Sequence, residues 1–133
     1  MGANVPAMAT NWTLGGDAAE PQRLAEFWAA ALGYIIEPGY DDPDGASIVD
    51  PDDVGPAIGF LRVPEPKTSK NRLHIDIRVA GPLRDSAAAE RMRTKASELV
   101  GLGATQVREE FYGPDVLGHI VMLDPEGNEF CVG

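Results

Sequence analysis

The sequence predicts an α+β fold in which one strand–helix–three-strand unit is used twice within a single domain. Three observations carry that expectation. Two amphipathic helical stretches each end in a Leu-Gly pair, Leu32-Gly33 and Leu102-Gly103. Strand-like segments flank both stretches in the same order. An Asp-Pro turn precedes the last strand of each half, Asp50-Pro51-Asp52-Asp53 and Asp124-Pro125-Glu126-Gly127. Asp-Pro followed by Asp or Gly is turn chemistry rather than strand chemistry. Matching landmarks lie 64 residues apart at the first strands, 70 at the Leu-Gly pairs and 74 at the Asp-Pro turns. The drift places longer loops in the second half on an unchanged plan.

Each element has a local reason. Pro21 suits a first helical position, and Leu24, Phe27, Trp28, Ala31 and Leu32 fall on one face at helical spacing. Gly33 ends that helix because it tolerates the left-handed conformation of a C-terminal cap. The second helix is expected from about Ser86 to Leu102, with Met92, Ala96, Leu99 and Val100 as its apolar stripe and Gly103 as its stop. Strands are expected at Ala9 to Gly15, Tyr34 to Glu37, Ser47 to Asp50 and Ile58 to Val63. Their second-half counterparts are Leu73 to Ala80, Thr105 to Phe111, Ile120 to Leu123 and Glu129 to Val132. The polar, proline-bearing stretch from Pro64 to Asn71 reads as a linker. It divides the single domain, 1–133, into unit one at about 8–63 and unit two at about 72–133.

Composition limits the function classes. A chain of 133 residues with 44% hydrophobic and 24% charged residues can bury one ordinary core without disulfides or a structural metal. Eleven Lys and Arg against 21 Asp and Glu give a net charge of -10, which repels phosphate backbones and argues against a nucleic-acid partner. That charge would favour cationic ligands or simply maintain solubility. No apolar run reaches membrane-spanning length, and residues 1–10 lack the charge and apolar stretch of a signal peptide. The single cysteine, Cys131, fits a reducing compartment, so a cytoplasmic setting without membrane association is expected.

Several residues offer chemistry. His74, Asp76 and Arg78 share one strand face by alternation. His74 is thus a candidate ligand or general base oriented by Asp76, or a strand histidine in a polar patch where Asp76 pairs with Arg78. Glu129 and Cys131 share the face of the last strand, and with His74 they would offer one N, one S and one O to a zinc-like ion. The alternative is a small buried Cys131 beside a rim carboxylate. His119 stands at the start of an expected strand, at the mouth of a cleft or at a loop end. Trp12, Phe60 and Tyr112 are either stacking surfaces for a planar ligand or packing residues. The acidic loop Tyr40 to Gly45 lacks the ligand spacing of a calcium loop, and no phosphate loop, serine elbow or paired-cysteine zinc motif occurs.

The stretches PQRLAEFWAAALGY (Pro21 to Tyr34), VPEPKTSKNRLHIDIRV (Val63 to Val79) and LDPEGNEFCV (Leu123 to Val132) resemble the vicinal oxygen chelate superfamily, in its glyoxalase-like subgroup. That superfamily includes glyoxalases, bleomycin-resistance proteins and extradiol dioxygenases. The resemblance implies two curved sheets around a cleft, helices on the outside and a homodimer. It also implies metal ligands from the first and last strand of each unit. His74, seven residues before Gly81, occupies the first-strand histidine position; counting seven back from Asp17 gives Thr10 in the first unit. Cys131 occupies the usual carboxylate position, and Phe60 and Arg62 are the nearest candidates on the other closing strand. The four-ligand set is therefore incomplete. Two functions follow. One is metal-free small-molecule sequestration of the resistance-protein kind, with Trp12, Phe60, Asp76, His119 and Glu129 as contacts. The other is a glyoxalase-like lyase, isomerase or dioxygenase using a divalent metal (Zn, Fe, Mn or Ni) held by His74 with Glu129 or Cys131.

Overall fold

The computed structural model describes residues 9–133. Its elements run β1 (Leu14–Ala18), α1 (Pro21–Leu32), β2 (Ile35–Ile36), β3 (Gly45–Val49), β4 (Ile58–Arg62), β5 (Asp76–Ile77), α2 (Ala88–Gly101), β6 (Thr105–Gly113), β7 (Val116–Leu123) and β8 (Glu129–Val132). Two four-stranded mixed sheets result, ordered β1-β4-β3-β2 and β5-β8-β7-β6. In each, the first strand returns beside the last in parallel, and the remaining pairs are antiparallel. The fold is α+β with two βαβββ units, as the duplication in the sequence implied.

The helices form where the apolar spacing placed them. In α1, Leu24, Ala25, Phe27, Trp28 and Ala31 are buried, and Gly33 closes the helix at φ 72°. In α2, Met92, Ala96 and Leu99 are buried, and Gly103 takes φ 117°. Val100 departs from expectation and is 46% exposed. It sits one helical step of about 100° from Leu99, which carries it past the edge of the narrow buried stripe. Arg93 on α2 makes two bonds to the Glu109 carboxylate of β6, at 2.7 and 2.9 Å.

Strand boundaries moved furthest at three places. The first strand is Leu14–Ala18 rather than Ala9 to Gly15. Its core face is Leu14, Gly16 and Ala18, and the Phe60 ring of β4 lies against Gly16. Of the first strand of the second unit only Asp76–Ile77 forms ladder rungs, although backbone bonds from Ile75–Ala80 to Cys131 and Gly133 extend the contact. β7 starts at Val116, not Ile120, because the β6–β7 hairpin continues through bulges to a short turn after Gly113.

The units share one core. Phe27 and Trp28 of α1 meet Phe130 of β8, with ring centroids 6.1 and 4.9 Å apart. Trp28 Nε1 donates to Asp124, a buried carboxylate that also accepts from the backbone N–H groups of Glu126 and Asn128 and from the Asn128 amide. Glu126 reaches across to accept from the backbone N–H groups of Ala19 and Glu20 at the start of α1. The second Asp-Pro turn therefore fastens unit two to the helix of unit one.

Candidate functional site

Only one face of the second sheet is covered by α2. The opposite face forms an open concavity of about 590 Å³, bordered by residues from β5, β6, β7 and β8 and from the loop before α2. Strand alternation aims His74, Asp76 and Arg78 from around β5 into it, together with Glu129 and Cys131 from β8. β7 contributes His119 and Val121, β6 contributes Arg108 and Tyr112, and the loop contributes Arg84. The rung Asp76↔Cys131, continued by Val121↔Cys131 and Arg108↔Val121, aligns side chains from four strands on this face.

At one end, His74 Nδ1 lies 3.0 Å from Asp76 Oδ1. A carboxylate only accepts, so Nδ1 carries the proton, and in the neutral ring Nε2 keeps its lone pair. Donor atoms of His74, Asp76 and Cys131 lie within 4.8 Å of one another. Burial pushes the Cys131 thiol above its ordinary pKa, and the Asp76 and Glu129 charges push the same way. Glu129 is occupied by Lys70, whose ammonium holds its pKa below the usual carboxylate range. Asn71 holds β8 beside it: its amide donates to Glu129 O at 3.0 Å, and its oxygen accepts from Glu129 N at 2.8 Å.

At the other end, the Tyr112 hydroxyl lies 2.9 Å from His119 Nδ1, and the Arg84 guanidinium stands 5.6 Å from the Tyr112 ring centre. Arg84 also donates to the carbonyls of Leu117 and Gly118 at 2.9 and 2.6 Å. Gly118 is required here, since a Cβ would come within 2.3 Å of the Tyr112 ring. Arg108 pairs with Glu110; each shifts the other, the carboxyl downward and the guanidinium upward.

The structure thus brings His74, Asp76, His119, Glu129 and Cys131 together. Three expectations change. Phe60 is 7% exposed and packs in the core, because its rung partner Gly16 faces α1. Trp12 precedes β1, is 65% exposed and does not line the concavity. Glu129, expected in the metal set, stands with Lys70, and Asp76 takes its place in the close donor set; of the two readings of Asp76, the pairing with His74 is the one found. Arg78 was legible by alternation with His74. Arg108 shares its face in the same way, whereas Arg84, at φ 44° in a loop, gave no periodic signal.

The ladders also correct the correspondence between units. Val49 and Leu123 both precede the aspartate of the turn and pair with residues two past the left-handed glycine, Ile35 and Thr105. Following the rungs from there, Ser47↔Gly59↔Gly15 matches Val121↔Cys131↔Asp76. The position matching His74 is thus Thr13, not Thr10, and the position matching Cys131 is Gly59, not Phe60 or Arg62. Counting from Asp17 and Gly81 misled because the loop before α2 is longer than the one before α1.

A duplicated βαβββ unit with its chemistry on the open sheet face defines a protein of the vicinal oxygen chelate type. The profile of the glyoxalase-like domain matches residues 13–133, and the chain belongs to that family. Its fold is similar to that of a glyoxalase/bleomycin resistance protein/dioxygenase family enzyme from Burkholderia phytofirmans PsJN, at 18% identity over 90% of this chain and 94% of that one (TM-score 0.66). It is also similar to the genomically encoded fosfomycin resistance protein FosX from Listeria monocytogenes, at 11% identity over 95% and 90% (TM-score 0.68). A variant of that FosX, complexed with Mn(II) and 1S,2S-dihydroxypropylphosphonic acid, matches at 12% identity over 94% and 90% (TM-score 0.65). No curated protein matches the chain in sequence. No described helix is long and apolar enough to cross a membrane.

Proposed function

We propose that the protein binds a small molecule on the open face of its second sheet without the paired-unit metal of its superfamily, as a sequestering or resistance-type protein would. One observation carries the reading. The first-unit positions that match His74 and Cys131 are Thr13 and Gly59, and the one that matches Asp76 is Gly15. Glycine has no side-chain donor and a threonine hydroxyl is a weak ligand, so a first unit facing this concavity adds no histidine, and its one matching carboxylate, Asp17, stands at the position of Arg78 rather than at those of His74, Asp76 and Cys131. A ligand held there would meet the polar groups of one sheet and the glycine-lined face of the other.

That second face belongs to another copy in this reading, since the concavity is bordered by unit two alone. The open face of the first sheet carries exposed apolar side chains, Leu61 and Ile35, among its glycines, which supports a homodimer with each ligand site shared between copies. Light scattering on the eluting protein reads the state directly, and a monomer at micromolar concentration would remove this part of the proposal.

A specific observation supports a second reading, a metal-dependent enzyme. His74, Asp76 and Cys131 place an N, an O and an S donor close together, a set suited to zinc, which would act there as a Lewis acid on ligand oxygens. His74 would serve either as a ligand or, with Asp76 holding Nδ1, as a general base through Nε2. Metal content of the untagged protein beside His74→Ala separates the two readings. The binding reading expects no stoichiometric metal and ligand-dependent thermal stabilisation that is indifferent to chelator. One divalent ion per chain, lost in the variant, overturns it in favour of the enzyme.

A further inference from the structure

We infer that the site reads an oxyanion: its ligand carries a carboxylate or phosphoryl group that docks between Arg78 and Arg84. This rests on the proposal that the open face of the second sheet is the binding site, and it fixes the chemical class of what binds. The chain as a whole carries a charge of -10, so arginines without carboxylate partners are unexpected on its surface. Two of them border the same concavity. Arg78 makes no ion pair or hydrogen bond among the described residues, and Arg84 is bonded only to the carbonyls of Leu117 and Gly118. Carbonyl bonds orient a guanidinium but do not neutralise it.

The remaining charges nearby are spoken for. Glu129 is engaged by Lys70, and Glu110 by Arg108. Asp76 faces His74, and along the strand it lies only two residues from Arg78, about 7 Å at ordinary strand rise, without pairing to it. The concavity is therefore polarised, with an Asp76 end and an arginine end.

Arg84 is held ready for a ligand. Its backbone takes φ 44°, a conformation uncommon outside glycine. Its guanidinium is fixed by the two carbonyls and by the Tyr112 face at 5.6 Å, and the ring is in turn placed by Gly118 and the bond to His119. Fixed donors beside an aromatic face, with a second unpaired guanidinium on the same concavity, suit a planar carboxylate or a tetrahedral phosphoryl group, because charge-assisted bonds to a preoriented fork lose little entropy. Orienting such a donor at the cost of a left-handed loop residue contributes nothing evident to the core.

The test is calorimetric titration of the full-length chain at low ionic strength with four probes: benzoate, phenyl phosphate, inorganic phosphate and neutral benzamide. We expect benzoate or phenyl phosphate to bind at least tenfold more tightly than benzamide. Whichever anion binds tighter distinguishes a carboxylate from a phosphoryl ligand, with inorganic phosphate reporting the headgroup alone. Arg78→Gln, which removes no observed bond and so keeps the fold by circular dichroism, should weaken the anion by about tenfold or more, the scale of one charge-assisted bond. Arg72→Gln, outside the concavity, should leave binding unchanged. Equal binding of benzamide and benzoate, or an unaffected Arg78→Gln, would overturn the inference while leaving a small-molecule site in place. Absence of binding by every probe at millimolar concentration would also overturn it, and the broader proposal then stands or falls on whether a neutral and cationic ligand library stabilises the protein.

Discussion

The two units are built on one frame and differ at nearly every side chain on their open faces. Where the second sheet presents His74, Asp76 and Cys131, the first presents Thr13, Gly15 and Gly59; where the second has His119 and Arg78, the first has Gly45 and Asp17. The core faces, by contrast, stay apolar in both: Ile58 matches Phe130, Ala46 matches Ile120, and Phe60 matches Val132. The fold needs the covered face and the turns and places no demand on the open face. Most side chains able to bind or catalyse therefore lie on the open face of one half, and the other half carries threonine and glycines at the matching positions, with Asp17 in place of Arg78.

The comparison assumes that the halves are one cooperative body, joined through Phe130, Trp28 and Asp124. Phe130→Ala tests that most severely. The side chain is 1% exposed and touches both aromatic rings of α1, so its loss should cost about 3–5 kcal/mol. Urea unfolding followed both by tryptophan fluorescence and by far-ultraviolet circular dichroism should still show one shifted transition. Two separate transitions would mean that the units fold independently, and the contrast between them would become one between separate domains.

How far the sequence alone reaches is also different in the two halves. Helices, caps and Asp-Pro turns were legible because each depends on local chemistry: the apolar stripe of α1, Gly33, Gly103 and the carboxylates of Asp50 and Asp124, which bond the backbone of their own turns. The open-face cluster of His74, Asp76, Glu129 and Cys131 followed from alternation along two strands. What stayed hidden was set by pairing between distant segments. The offset of β1 against β4 decides that Phe60 faces the core and that Trp12 falls outside the strand. The grip of Leu117 and Gly118 on Arg84 depends on a loop with no period at all. The role of Glu126 at the start of α1, more than a hundred residues away, had no local signature either.

The next test is paired across the duplication. His74→Ala should weaken ligand binding about tenfold, as expected for losing one polar contact in a site, while Thr13→Ala should change it by less than a factor of two. Both side chains are exposed, so neither variant should alter stability by more than about 0.5 kcal/mol. A matched loss in Thr13→Ala would show that unit one reads the ligand too, and the one-sided account would fail. Glu126→Gln is aimed at the joint rather than the site. The carboxylate accepts from the backbone N–H groups of Ala19 and Glu20, just before α1, at 2.7 and 2.9 Å, where the positive end of the helix dipole also favours negative charge. Its replacement by a neutral amide should cost about 1 kcal/mol in urea unfolding, the usual worth of a cap. No change would mean that the Phe130 contacts and the Trp28–Asp124 bond hold the units together without Glu126.

The smallest expected effect concerns the acid limb of stability. Lys70 holds the Glu129 carboxyl below its ordinary value of 4.5. A folded-state pKa below the unfolded one adds stability that is complete above the unfolded value and is lost as pH falls through the folded one. Lys70→Met should therefore lower stability slightly near neutrality and make its decline shallower below about pH 4.5. The two proteins should converge in strong acid, where Glu129 is protonated in either state. Other carboxylates with lowered pKa values, among them Asp50, Asp85 and Glu109, titrate in the same range, so the signal is the difference between the two pH curves. Because Glu129 borders the concavity and its first-unit counterpart is the uncharged Ala57, a measurable difference would place a titrating, lysine-held carboxylate on one side of the duplication only. Parallel curves would mean that the Lys70 pair is too well solvated to matter, leaving Glu129 a free negative charge that any anionic ligand must approach.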